Sequence, residues 1–310
     1  MLSRRSVRIK AMQLLFSVNR DEQLDLEEAK KRYWSSIEDT YRLYLLNLMV
    51  LIEVVKNAHQ DGIKRKAKRL PTDLDKVFSD KIYNNNLIKN LEQNKLLLKT
   101  AKDLGFDESL NKDYCSKIYY EFAKGDAFEE YMNKQCAHED HLELLLELYR
   151  FCRQNELFNE IMEDNYGTWQ DDKSVVVGSV KKTLKRVPEI EDDFLKDYHP
   201  ADETVNEFGF QLLVRTLEGD QELHGLIAPT LKNWDSERLA IIDMILLKMA
   251  TCEFTGFESI PTKVTVNEYI DIAKNYSTAK SKDFINGVLD RIMKDLEAAG
   301  SIKKSGRGLI

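Results

Sequence analysis

The chain has 310 residues, 43% hydrophobic and 32% charged, with a formal net charge of −7 and a pI near 5.5. That length suffices for a sizeable core, and length alone suggests about two domains. The acidic balance excludes attraction of polyanions through the mean field, so any nucleic-acid contact has to be local.

With 13 Gly and only five Pro (Pro71, Pro188, Pro200, Pro229, Pro261), the composition favours charged helices, and an all-α fold is expected. Ser3 is placed to cap the first helix, whose Val7, Ala11, Leu14, Leu15 and Val18 form one stripe that ends by Asn19. The opening "MLSRRSVRIK" lacks the apolar run of a signal peptide. Helical periods then cover roughly 35–60, 86–103, 111–123, 138–154 and 171–186, broken at "DG" (61), "LP" (70) and "GTW" (167). Within the first of these, "YLLNLMVLIEVV" (Tyr44 to Val55) carries Asn47 and Glu53 and is too short to span a bilayer, so it reads as a buried helix.

Two charged clusters fall in this middle stretch. "KRKAKR" (Lys64 to Arg69) is either an extension of an anion path or a solvated loop, and "HEDH" (His138 to His141) pairs two histidines at i and i+3 without completing a metal site. Cys115, Cys136, Cys152 and Cys252 show no metal-type spacing, which points to reduced thiols in a cytoplasmic chain. "VPEIEDDFLKDYHPADE" (Val187 to Glu203), with two prolines and an acidic run, is the clearest junction.

Beyond it, helices are expected at about 201–217, 220–228, 236–254, 265–276 and 281–298. Leu239, Ile242, Leu246, Met249 and Ala250 share one face of the third, and "TVNE" (Thr265 to Glu268) matches a capping box opening the fourth, with Val266, Tyr269, Ile270 and Ala273 as its buried stripe. In "SKDFINGVLDRI" (281–292) the Asn-Gly pair signals a hairpin, yet Phe284, Val288, Leu289, Ile292 and Met293 keep helical spacing through it. The spacing decides for a helix, with Gly287 at a close helix contact and Asn286 a buried tie. The terminal "SIKKSGRGLI" reads as a mobile tail, and no internal repeat, phosphate-binding glycine loop or nucleophile elbow occurs.

The first helix stands out by charge. Residues 1–20 hold Arg4, Arg5, Arg8, Lys10 and Arg20 with no acid, a local +5. Cations in a first turn oppose the helix dipole by about 0.3–1 kcal/mol each, and a bound phosphate would reverse that sign. The competing reading is a solvated, frayed terminus.

The blocks "ERLAIIDMILLKMATCEF", "IPTKVTVNEYIDIAKNYS" and "SKDFINGVLDRI" resemble, in order and spacing, the C-terminal part of the NusB family of transcription antitermination factors. "FGFQLLVRTLEGDQELHGLIAPTL" resembles the preceding helix pair, and "RRSVRIKAMQLLFS" the arginine-rich first helix. The resemblance covers about 1–20 and 201–310, so a NusB-like helical bundle domain split by an inserted helical domain, 21–200, is expected. It implies a cytoplasmic protein with no catalysis and no cofactor. Its implied partners are boxA RNA, the ribosomal protein NusE and the RNA polymerase elongation complex, with dimerisation left open.

On that footing Arg4, Arg5 and Arg8 are expected to hold RNA phosphates. Phe16 and Phe284 are the candidates for base stacking, against plain core packing. Lys280, Ser281 and Lys282 form the turn where the family commonly carries an acidic residue before its Ser; here Lys280 departs from that pattern. Asp243 is expected at the rim facing the ribosomal protein, against a merely solvated Asp. Glu253, Asn267 and Asn286 are read as helix ties. A scaffold that has lost RNA binding is the alternative from another class, and an RNA cytosine methyltransferase is disfavoured because no room remains for a methyl-donor fold.

Overall fold

The structure, a computed structural model, describes residues 1–187, 191–231 and 240–305, apart from the side chain of Leu74. Among these residues every regular element is helical, so the chain is all-α. In order the helices are α1 (Arg4–Arg20), α2 (Leu26–Lys66), α3 (Asp73–Val77), α4 (Asn86–Gln93), α5 (Lys95–Asp103), α6 (Phe106–Ser109), α7 (Lys112–Phe122) and α8 (Asp126–Asn133). There follow α9 (His138–Gln154), α10 (Glu156–Asn165), α11 (Trp169–Arg186), a π-helical segment (Glu203–Phe210) running into α12 (Gln211–Glu218), α13 (Asp220–Ile227), α14 (Ile241–Gly256), α15 (Thr262–Tyr276) and α16 (Ser281–Ala298). Leu239 and the other residues before 240 in the expected 236–254 helix, Pro188 of the junction, and the tail from 306 lie outside the described residues.

The chain divides into two units: a split unit, Leu2–Ile37 with Pro200–Ile310, and a middle unit, Glu38–His199 with Met1. The division after Ile37 falls inside α2, so the split unit takes in more of the early chain than residues 1–20.

In the middle unit, α2 from Leu43 to Val55 is buried almost all round and forms the axis of the core. Asn47 is tolerated there because it accepts from the Tyr149 hydroxyl at 2.8 Å and donates to the Leu43 carbonyl at 2.8 Å. The break read at Asp61-Gly62 does not occur. Asp61 accepts from Arg65 one turn on (2.8 Å) and from the Tyr119 hydroxyl (3.2 Å), which carries the helix to Lys66. The "KRKAKR" cluster is partly neutralised: Arg65 and Lys68 both bind the buried Asp75, at 3.1 and 2.8 Å. The 86–103 pattern is two helices, since Asn94 ends α4 and caps α5. Of the "HEDH" pair, His141 lies 2.7 Å from the Tyr131 hydroxyl, and among the described residues no cluster suits a metal ion.

In the split unit α14 is central, buried on nearly every side and packed by α1, α12, α13, α15 and α16. Directions follow from the polar ties. Thr265 meets Glu253 while Ser277 meets Asp243, so α15 runs antiparallel to α14. Ser281 meets Asp243, while Lys304 beyond α16 reaches the Glu253 carbonyl, so α16 runs parallel to α14. The start of the expected tail is pinned: Lys304 donates to the Glu253 and Phe257 carbonyls at 2.9 and 2.8 Å, capping the end of α14.

The Asn-Gly stretch is helical, as its apolar spacing requires, but both residues are exposed and a Cβ on Gly287 would meet open space. Neither is a helix contact or a buried tie, and Asn267 is exposed as well. The glycine that permits close approach is Gly209. A Cβ there would lie 2.2 Å from the Tyr33 hydroxyl and 2.7 Å from Val7 Cβ, so α1, the π-helical segment and the start of α2 meet only because it is absent.

Candidate nucleic-acid interface

Ser3 caps α1 by accepting from the Ser6 amide at 3.2 Å, and no acid stands in the first turn. The three arginines there separate by depth. Arg8 is only 2% exposed, and its Nε and Nη2 donate to the two oxygens of Glu253 at 2.9 and 2.7 Å. Glu253 is fully buried and also accepts from Thr265 (2.7 Å) and Tyr269 (3.2 Å), so all its partners come from helices that α14 joins. The Phe208 ring lies 4.8 Å from the Arg8 guanidinium, and Glu268 comes within 3.5 Å of its Nη1. Burial opposes the Arg8 charge, but Glu253 outweighs it and holds the guanidinium above its ordinary range. Burial, reinforced by Glu253, pushes the Tyr269 hydroxyl far up, so it remains a donor.

This network corrects two expectations. Arg8 is enclosed and cannot reach a phosphate. The capping box at Thr265 and Glu268 does not form, because α15 starts earlier, at Thr262, and both side chains turn to the Arg8–Glu253 pair. Glu253 is the helix tie its sequence position suggests.

Arg4 and Arg5 stay at the surface, each more than a third exposed. Arg4 pairs with Glu203 at 2.9 Å beside the Phe208 ring, and Arg5 with Asp271 at 3.4 Å. Asp271 is shared with Lys274 (2.6 Å), whose hydrogen bond holds its carboxyl below the usual range, with Arg5 assisting. Toward the other end of α1, Phe16 is half-buried and lies 5.4 Å from the Arg20 guanidinium.

The second group of expected residues gathers around Asp243, ten residues before Glu253 and hence about 15 Å along α14. Asp243 is 5% exposed and accepts from Ser277 (2.6 Å) and Ser281 (2.7 Å), which ties the start of α16 to that of α14. It is therefore not an exposed rim charge. Ser281 is buried by this tie and Phe284 is packed inward, whereas Lys280 and Lys282 are exposed. The accessible cations of the two groups, Arg4 and Arg5 against Lys280 and Lys282, thus flank a buried polar framework. Thr265 and Glu268 read in the sequence as a capping box and Tyr269 as a stripe residue, so their part in the framework, like that of Ser277, was missed; the available signal was Glu253, an acid in an apolar run that needs partners.

Burial pushes the Cys252 thiol up to about 11 and that of Cys115 to about 12, so neither has the character of a reactive thiolate. Among the described residues no helix is long and apolar enough to cross a membrane.

Fold and framework define an all-helical protein with a basic first helix clamped to its core by a buried Arg–Glu pair. The model described as "NusB family" matches residues 175–294, opening inside α11 and ending in α16. The chain is 41% identical over 138 residues to the transcription antitermination protein NusB of Salinibacter ruber, 42% of this chain and 86% of that protein. The like-named proteins of Chloroherpeton thalassium (39% over 110 residues, 36% of this chain and 52% of that protein) and Bacillus mycoides (42% over 94 residues, 30% and 72%) are also similar. The chain belongs to the NusB family. No solved structure matches it.

Proposed function

We propose that this protein is a cytoplasmic transcription antitermination factor that binds boxA-type RNA together with the ribosomal protein NusE and supports rRNA operon transcription by RNA polymerase. In this reading the split unit is the RNA-binding NusB domain and the middle unit an insertion. Arg4, Arg5, Lys280 and Lys282 meet phosphates, Phe16 offers a ring beside Arg20, and Arg8, Ser281 and Phe284 act only by holding these in place.

The supporting observation is the acid-free first turn of α1, whose two accessible arginines are mounted on the Arg8–Glu253 clamp. Their present partners are easily exchanged. Glu203 is 72% exposed and Asp271 41%, and exposed pairs of this kind contribute about 0–1 kcal/mol, less than a charge-assisted phosphate contact.

Titration of a single-stranded boxA-type oligoribonucleotide across a salt series tests the reading. The double variant Arg4→Ala/Arg5→Ala is expected to bind more weakly and to lose about 1.4 from the log–log salt slope, two contacts at roughly 0.7 each. No binding by the wild type, or an unchanged slope, overturns it. The scaffold reading draws on the same two ion pairs, which leave both arginines engaged without RNA. It predicts stable, RNA-independent capture of a protein partner, whereas antitermination predicts RNA-dependent co-purification of NusE.

A further inference from the structure

Trp34, on the part of α2 that belongs to the split unit, is 37% exposed although it sits among rings. Its indole packs on Phe210 with centroids 5.3 Å apart and planes inclined at 32°, and meets Tyr33 edge-on at 5.5 Å. Tyr33 is fully buried, and its hydroxyl donates to the Val205 carbonyl of the π-helical segment at 2.7 Å. At Gly209 that segment passes close to both the Tyr33 hydroxyl and Val7 of α1. The indole is thus mounted on a rigid base, with its outer surface left to solvent.

A free-standing cation lies one turn away on its own helix. Lys30 and Lys31, at i−4 and i−3, lie over the same side of α2. Lys31 is exposed, and Lys30 is held by Glu27 at 2.7 Å. A rigid exposed ring with a cation beside it suits an unpaired nucleotide, since every base offers a π-face to stack and an adjoining phosphate to neutralise.

We propose that Trp34, backed by Phe210, is a stacking platform for an unpaired RNA base, with Lys31 on a flanking phosphate. This rests on the RNA-binding reading above and adds a contact outside the first helix.

The full chain is titrated with a 12-nucleotide single-stranded boxA-type RNA, reading affinity and intrinsic fluorescence, with folding checked by circular dichroism. Trp34→Ala is expected to weaken binding about 5- to 150-fold, the range for losing one stacked base. Trp34→Phe keeps a ring and holds affinity within a few-fold, but abolishes the quench that RNA produces in the wild type. Trp169, fully buried in the middle unit, does not report on this surface, and Trp234, which lies outside the described residues, is replaced by Phe in every protein titrated for fluorescence. If Trp34→Ala binds like the wild type while Arg4→Ala/Arg5→Ala weakens binding, the platform is overturned and the RNA reading survives. Absence of the quench in the wild type overturns the platform too, as does loss of a protein partner by Trp34→Ala with RNA affinity unchanged. A wild type that binds no RNA removes both.

Discussion

Truncating Arg8 should damage the fold before it touches RNA. Glu253 is fully buried and takes four hydrogen bonds, two of them from Arg8, so Arg8→Ala leaves a carboxylate with two hydroxyl partners and without its hydrogen-bonded counter-charge. Breaking one side of such a pair costs about 3–5 kcal/mol. At about 2–4 °C per kcal/mol for a unit of this size, differential scanning calorimetry should show a fall of about 6–20 °C for the split unit.

Replacing both partners, Arg8→Met with Glu253→Met, removes the stranded charge. The double variant should be less destabilised than the sum of the single changes. If it folds, its RNA salt slope stays at the wild-type value, since Arg8 touches no phosphate. A single-variant shift below about 3 °C, strict additivity in the cycle, or a slope reduced by the double change would each refute the enclosed clamp.

Two other outcomes test the packing and the electrostatics. Gly287→Ala, at an open helical site, should stabilise the split unit by about 0.5–1 kcal/mol, whereas Gly209→Ala, with its new carbon 2.2 Å from the Tyr33 hydroxyl, should cost about 1–3 kcal/mol or more; urea melts that reverse this order would refute both placements. Burial holds the His141 pKa below its ordinary value, so the neutral ring's contribution is present above about pH 6.5 and is lost as pH falls through the lowered value. The middle unit of His141→Gln should therefore lose less melting temperature between pH 7 and 5 than the wild type, and equal losses would refute that assignment.

The apolar periods alone specified an all-helical chain and nearly every long helix, including the one through Asn286-Gly287, because a buried stripe at helical spacing outweighs a local turn preference. The charge pattern marked α1 as a basic segment free of acid, beside the denser cluster from Lys64 to Arg69. What the spacing does not carry is depth. Arg4, Arg5 and Arg8 look alike on a helical wheel, yet one is sealed in the core and two face water, because Glu253 lies 245 residues away in the chain and only packing brings it to Arg8. For the same reason Thr265 and Glu268 leave their local capping box for a distant charge, Asp243 becomes a tie rather than a rim, and Gly209 rather than Gly287 is the glycine that tight packing needs. Local spacing determined the helices; partners far apart in sequence, meeting in a low-dielectric interior where an unpaired charge is costly, decided which polar residues remained free to bind.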